Sequence, residues 1–370
     1  QALLYAGAHA EGAARFLEAA EGAPPLAALG LRKRAAEALL QCGALAPGQA
    51  LLHEVLVALG RPLPRTRLLR AVRIAEQTLS LRRRGLEFVP RTAASLPAED
   101  LLYLDTLRTA RLAVANVDPV TARLYQLEHL VQCLDVGEPG RIVESVAAHA
   151  AYLSHQGAST ALAAGRLIDQ ARAIARRYGV VQPASLAACA GLVAFNRGAW
   201  RAALTQFEAA LPEGAPTNEP RQPAAATMLW SLCGMWALSC SFYLGELGAL
   251  AGRRARSLQL LGGAEDAANE ARLTVSMQVF TALAADDPGR AAQELAAALQ
   301  RWPRAGFVVE RGHAFLAARA IDLYIGDGAR AWARVDEGWP AFVRSYPYQG
   351  QHGRVLGEYW RGAAALLAIG

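Results

Sequence analysis

Along most of the chain apolar residues return every third or fourth position, and alternating strand-like runs are almost missing, so the pattern predicts helices throughout. Many of the apolar positions hold alanine, which favours helix and lets two helices approach closely. Between the helical stretches turn chemistry recurs: Asn116-Val117-Asp118-Pro119, Gln156-Gly157-Ala158-Ser159, Asn196-Arg197-Gly198-Ala199, Gly245-Glu246, Asp286-Asp287-Pro288-Gly289 and Gly326-Asp327-Gly328-Ala329. In these junctions Gly or Asn accepts the left-handed backbone that ends one helix, and Asp or Pro starts the next. With Asp118, Ala158, Gly198, Glu246, Asp287 and Asp327 as markers, the steps are 40, 40, 48, 41 and 40 residues. A period near forty marks an array of repeats.

Within the repeats small residues sit where paired helices would cross. In AWRAALTQFEAALP they are Ala203, Phe207 and Ala210, preceded by Gly191; Ala291, Leu295, Ala298 and Pro303 keep the same spacing, as do Ala13, Leu17, Ala20 and Pro25. This Gly-Ala-Phe-Ala pattern resembles the tetratricopeptide (TPR) repeat. The expected fold is therefore all-α, a right-handed superhelical solenoid of TPR-like antiparallel helix pairs, each pair hiding an apolar stripe that it cannot bury alone.

Three segments are expected: N-terminal helix pairs over 1–81, a loop insertion over 82–100, and repeats over 101–370 closed by a capping helix, GRVLGEYWRGAAALLAIG. The insertion is read from a basic run at Arg82, two prolines and a helix-start signal at Ser95-Leu96-Pro97-Ala98-Glu99; the proline-rich EGAPTNEPRQP from Glu213 is expected to be loop as well. The chain opens at Gln1 in mid-helix without a methionine, so a fragment of a larger protein is expected.

Composition changes the picture at three points. A net charge of +6 over 370 residues is weak, and the arginines are scattered among glutamates, which points to solvated helix faces and no nucleic-acid partner. Gln222 to Gly245 carries no charge and is long enough to span a bilayer, yet its large and small residues separate, as suits a helix wedged between two neighbours; no membrane span is expected. The five cysteines, Cys42, Cys133, Cys189, Cys233 and Cys240, lie in apolar helical stretches without a CxxC pair, which suits buried thiols in a reducing cytoplasm.

Candidate chemistry is thin. Lys33 is the only lysine and sits in LGLRKRAAEA, outside any phosphate loop, and no strand lysine, HRD or DFG element is present, so neither a P-loop nor a kinase site is expected here. The histidines form no HExxH, and His149 and His155, six apart, read as different faces of one helix. No nucleophile motif occurs. Asp286-Asp287 and Glu265-Asp266 precede helices, where carboxylates suit the dipole, and Arg319 with Asp322 reads as an intrahelical ion pair. Trp302-Pro303 and Trp339-Pro340 read as helix ends or kinks. No catalytic, cofactor-binding or metal-ligating residue is assigned. What remains is shape: a concave surface lined by first helices, with Asn269, Arg272, Arg311, His313 and Arg319 as the candidate polar groove for a protein or peptide.

FLEAAEGAPPLAALGLRKRAAEALLQCG with LLHEVLVALGRPLP, and later LAADDPGRAAQELAAALQRWPRAGF with RAIDLYIGDGARAWARVDEGWPAF, resemble the C-terminal helical tail of large bacterial serine/threonine protein kinases fused to an AAA/STAND-type ATPase. The resemblance implies a regulatory, non-catalytic tail whose partner would be a protein or peptide, the parent's own kinase or ATPase domains included. ATP and Mg would belong only to domains upstream. Similar tails occur on STAND-type transcriptional regulators, so a ligand-sensing tail is the second expectation. An all-α active site outside these motifs is a third.

Overall fold

The computed structural model describes residues 8–41, 44–64, 66–114, 118–181, 183–212, 224–261, 273, 275, 277, 279–301 and 308–369. The protein is all-α: no strand occurs among the described residues. The chain divides into two compact units, Gln1–His149 with Asp169–Gln182, and Ala150–Ile168 with Pro183–Gly370.

The first unit holds α1 (His9–Glu21), α2 (Pro25–Gln41), α3 (Leu45–Ala58), α4 (Arg67–Arg84), α5 (Ala98–Val114), α6 (Pro119–Val136) and most of α7 (Pro139–Ser154), together with the end of α8 (Ala158–Arg177). Successive helices from α1 to α3 pack on one another, with Ala13, Phe16, Ala35 and Ala38 forming one buried seam. A second core gathers Leu56 of α3, Tyr103 and Leu107 of α5 and Leu124 of α6.

α4 is held differently. Arg70 donates to the Thr121 hydroxyl at 2.6 Å, Gln77 to the Glu128 carboxylate at 2.8 Å, and Arg84 to Asp135. Each donor precedes its acceptor by 51 residues, so α4 and α6 run parallel and in register, with contacts every seventh residue. Arg73 grips the same Glu128 with two nitrogens, both at 3.2 Å, although that carboxylate's residue is only 3% exposed. A forked, charge-assisted bond of this kind offsets the cost of burying the carboxylate.

The expected insertion over 82–100 is shorter than the sequence suggested. α4 runs through the basic run to Arg84, where positive side chains suit the negative end of the helix dipole, and Gly85 ends it at φ 65°. α5 begins at Ala98. Only 86–97 connects them, with a short 3-10 turn at Ala93–Ser95. Ser95 sends its hydroxyl back to the Thr92 carbonyl at 2.8 Å.

The second unit holds the start of α8, then α9 (Ala184–Asn196), α10 (Trp200–Ala209), α11 (Ala224–Tyr243), α12 (Leu250–Leu260), α13 (Val279–Ala284), α14 (Pro288–Arg301), α15 (Val308–Tyr324), α16 (Gly328–Val343), a single turn α17 (Tyr346–Gln349) and α18 (Gln351–Ile369). The turns anticipated from sequence take the expected backbone: Gly157, Gly198, Gly245 and Gly326 have φ between 73° and 91°, and Asp286 stands in for glycine at φ 57°. Asp118, Asp287 and Asp327 cap the helices that follow, each accepting from the backbone N–H three residues on.

α9 and α10 show why a glycine is needed at a crossing. A β-carbon on Gly191 would lie 2.7 Å from the Phe207 ring, and Ala203, Phe207 and Ala210 are buried beside it. The uncharged segment becomes α11, buried between α10 and α12, and no helix among the described residues is long and apolar enough to cross a membrane. The proline-rich stretch from Glu213 lies outside the described residues, as do Cys42, Glu265-Asp266 and Trp302-Pro303. Cys133, Cys189, Cys233 and Cys240 form no disulfide among the described residues. Pro340 neither ends nor begins a helix: α16 runs through it to Val343.

α18 packs on α15 and α16, and its first turn does more. The Gln351 backbone N–H donates to the His155 carbonyl at 3.0 Å, and its side-chain oxygen accepts from the Ala158 N–H at 2.8 Å. The last helix is thereby clipped to the turn that opens the second unit.

Gly191→Val is expected to lower unfolding stability by about 1–3 kcal/mol, because the Phe207 ring must move in a full core. Gly252→Ala in α12, with nothing within 4 Å of the new carbon, is the matched control and should be neutral or slightly stabilising. Urea unfolding of both variants checks the pair.

Candidate functional site

The interior of the second unit is built from four helices that each supply aromatic or imidazole rings. α11 contributes Trp236, Phe242 and Tyr243, and Phe280 comes from α13. α15 contributes His313 with Leu316 and Ala317. α18 contributes His352, Leu356 and Trp360, spaced four apart on one face. Together they close around a cavity of about 20 Å³, room for one water.

His352 is the centre of this cluster. Its ring meets Phe195 edge-on at 4.9 Å and stands perpendicular to Tyr243 at 5.6 Å, with Nε2 3.4 Å from the Tyr243 hydroxyl. Trp200 stacks on the far side of Tyr243 at 4.8 Å. Burial pulls the His352 pKa down to about 4, and the nearby His313 and His155 imidazoles push the same way. The imidazole is neutral at physiological pH, so this is an apolar ring cluster without a standing charge.

Of the five candidate groove residues, His313 and Arg319 are the two whose side chains are described, and neither stands on an open surface. His313 lines the cavity and faces the chain's own last helix. Asn269 and Arg272 lie outside the described residues, and only the backbone of Arg311, in α15, is described. Arg319 is fully buried. Its Nε donates to the Phe315 carbonyl at 3.2 Å and its guanidinium lies 3.9 Å over the Phe315 ring, while both terminal nitrogens lack a hydrogen-bond partner among the described residues. Burial alone lowers its pKa to about 10.

The expected Arg319–Asp322 pair is not formed. Asp322, 1% exposed, accepts instead from Arg330 at 2.7 Å and Arg334 at 2.6 Å, both on α16. The three-residue spacing allowed the intrahelical pair, but the arginines of the next helix reach the carboxylate from solvent, so they keep part of their hydration. Among the described residues Arg319 keeps the cation–π and carbonyl contacts to Phe315.

His149 and His155 are not on one helix: α7 ends at Ser154, and His155 lies in the turn beyond. Burial lowers the pKa of both, His149 to about 4. A feature that sequence reasoning missed lies in α6, where His129 is buried between the Ser145 hydroxyl at 3.0 Å and Cys133 Sγ at 3.5 Å. Its pKa falls well below the ordinary value through burial, reinforced by Arg111, Arg108 and Arg141. No group of three or more His, Cys, Asp or Glu able to hold a metal ion occurs among the described residues.

No protein-family model matches the chain, and no curated protein matches it. Among the described residues the site consists of enclosed rings, buried imidazoles and capped turns.

Two measurements follow. Since His352 is neutral when folded and its pKa rises towards 6.5 on unfolding, its contribution is complete above pH 6.5 and is lost as pH falls towards 4. Urea unfolding at pH 7 and pH 4.5 should show a loss that His352→Phe removes by on the order of 3 kcal/mol. Arg319→Met should leave stability unchanged or raise it by about 1 kcal/mol or more in the same assay, because the buried cation has no carboxylate to lose.

Proposed function

We propose that the chain is a non-catalytic regulatory module for protein–protein interaction, a superhelical array of TPR-like helix pairs within a larger serine/threonine kinase–ATPase signalling protein. The observation that carries the reading is the recurrence of one junction: a left-handed Gly or Asp, a short turn, and a helix that packs through small residues, at Gly157, Gly198, Gly245, Asp286 and Gly326. Repeated hairpins of this kind supply extended binding surface from a few packing rules. The resemblance of the flanking segments to kinase–ATPase tails supplies the context, with a protein or peptide, including the parent's own domains, as partner. The buried thiols of Cys133, Cys233 and Cys240, outside any disulfide, are in keeping with a reducing cytoplasm.

A second reading is the ligand-sensing tail of a STAND-type transcriptional regulator. The ring-lined cavity favours it, since its walls are mostly apolar, and a small apolar molecule would enter by displacing Met277 and the aromatic walls.

The reading frame upstream of Gln1 separates the two. Kinase motifs there, with a several-fold change in kinase rate when residues 1–370 are deleted from the full protein, are the expected outcome. A DNA-binding helix-turn-helix in that place would favour the second reading. Phosphoryl transfer or hydrolysis by the purified chain alone would overturn both.

A further inference from the structure

α4 is built inside out. Arg70, Arg73, Gln77 and Arg84 face α6, so the opposite side of the helix carries Leu68, Val72, Ala75 and Leu79 to the surface. Leu68 is 74% exposed and Leu79 47%. Their spacing alternates between four and three residues, the seam by which one helix accepts another along its length. Beside this seam runs an open groove of about 340 Å³, floored by Ala71, Ile74 and Thr78 and rimmed by Arg82 and, from α6, Arg123. The whole surface lies within the first unit.

The charges around the seam are of one sign. Arg67 stands at its start and Arg82 and Arg83 at its end; all three are exposed and make no ion pair among the described residues. Glu76 is the one acid on this flank, and Arg73 lies 3.6 Å from it. A second copy of α4 would set arginine against arginine in either orientation, a like-charge contact that disfavours self-pairing. A lipid surface is a poorer match. The seam has no aromatic side chain and is shallow at Ala71 and Ala75, which suits close approach of another backbone and not insertion among acyl chains.

We propose that α4 and its groove are the docking site for an acidic amphipathic helix of a partner protein, its apolar residues seated on Leu68, Val72 and Leu79 and its carboxylates on Arg67, Arg82 and Arg83. The proposal rests on the reading of the chain as an interaction module and names the class of partner. Helix-in-groove recognition supplies the affinity and the arginines the orientation and the choice of sign.

The test uses the whole chain and two labelled designed peptides, both with leucine at the seam positions, one flanked by glutamates and the other by lysines. Fluorescence anisotropy should show the acidic peptide binding at least about tenfold tighter than the basic one, with affinity falling as salt rises. Leu79→Asp and the double variant Arg82→Glu/Arg83→Glu should each weaken the acidic peptide about tenfold or more. Because these side chains are exposed, the melting temperature should stay unchanged, which separates lost docking from lost folding. Equal binding of the two peptides, or full binding by both variants, would overturn the proposal. So would concentration-dependent dimerisation that Leu79→Asp abolishes, or binding to anionic phosphatidylserine vesicles in preference to the acidic peptide. If deletion of residues 1–370 alters the full protein's kinase rate while Leu79→Asp does not, the docking site is wrong and the module reading survives. If neither has an effect, the module reading fails by itself.

Discussion

A helix in water can hide its apolar stripe only against another helix, and how closely the two axes approach is set by the smallest residues at the crossing. That constraint organises both units. Alanine seams join α1 to α2, and Gly191 admits the Phe207 ring between α9 and α10. Gly338 and Gly357 do the same for Phe315 and Phe342 around α16 and α18. Each large ring fills a gap that a glycine opens, so bulk at one position depends on its absence at another. The turns then have little freedom: a short connection between closely packed helices must reverse within a few residues, which is why left-handed positions recur there.

α4 shows what happens when the inward face is polar. Its ladder to α6 has the seven-residue register of an apolar helix pair but fills it with arginine, glutamine and carboxylate. A polar seam brings less net stability than an apolar one of equal area, because every group in it gives up hydration. It does fix register, since a shift by one turn would leave Glu128 buried without its donors. The consequence appears on the other side of the helix, where leucine and valine remain in water.

The helical character, the turn positions and the buried place of the uncharged segment were legible in the sequence because they depend on local spacing: a Gly or Asp at a turn, or a run without charge. Partners across helices were not. Arg319 and Asp322 have suitable spacing, yet Arg330 and Arg334 take the carboxylate from the next helix. The basic run at Arg82 looked like loop because charge clusters and prolines stood together, whereas the helix dipole and Asp135 hold the chain helical to Arg84. One long-range signal was present: Arg70, Gln77 and Arg84 repeat every seven residues, and so do Thr121, Glu128 and Asp135. Two polar heptad series of matching length point to an in-register pair. His313 is a different case, since local pattern does not reveal that the chain's own last helix occupies the space in front of it.

That occupation bears on where a partner of the proposed module would dock. His352, Leu356 and Trp360 sit among Trp236, Tyr243 and Phe280, and Gln351 clips the helix at its start. Burying one large aromatic side chain stabilises by roughly 4–6 kcal/mol on area grounds. Levering α18 out of the cluster would expose several such rings at once, more than a typical peptide interaction can repay. A partner competing for this interior therefore meets a high barrier, whereas one that docks on α4 covers apolar surface already in water and disrupts no existing contact. The asymmetry between a filled interior and an uncovered helix face makes α4 the economical place for the proposed docking contact.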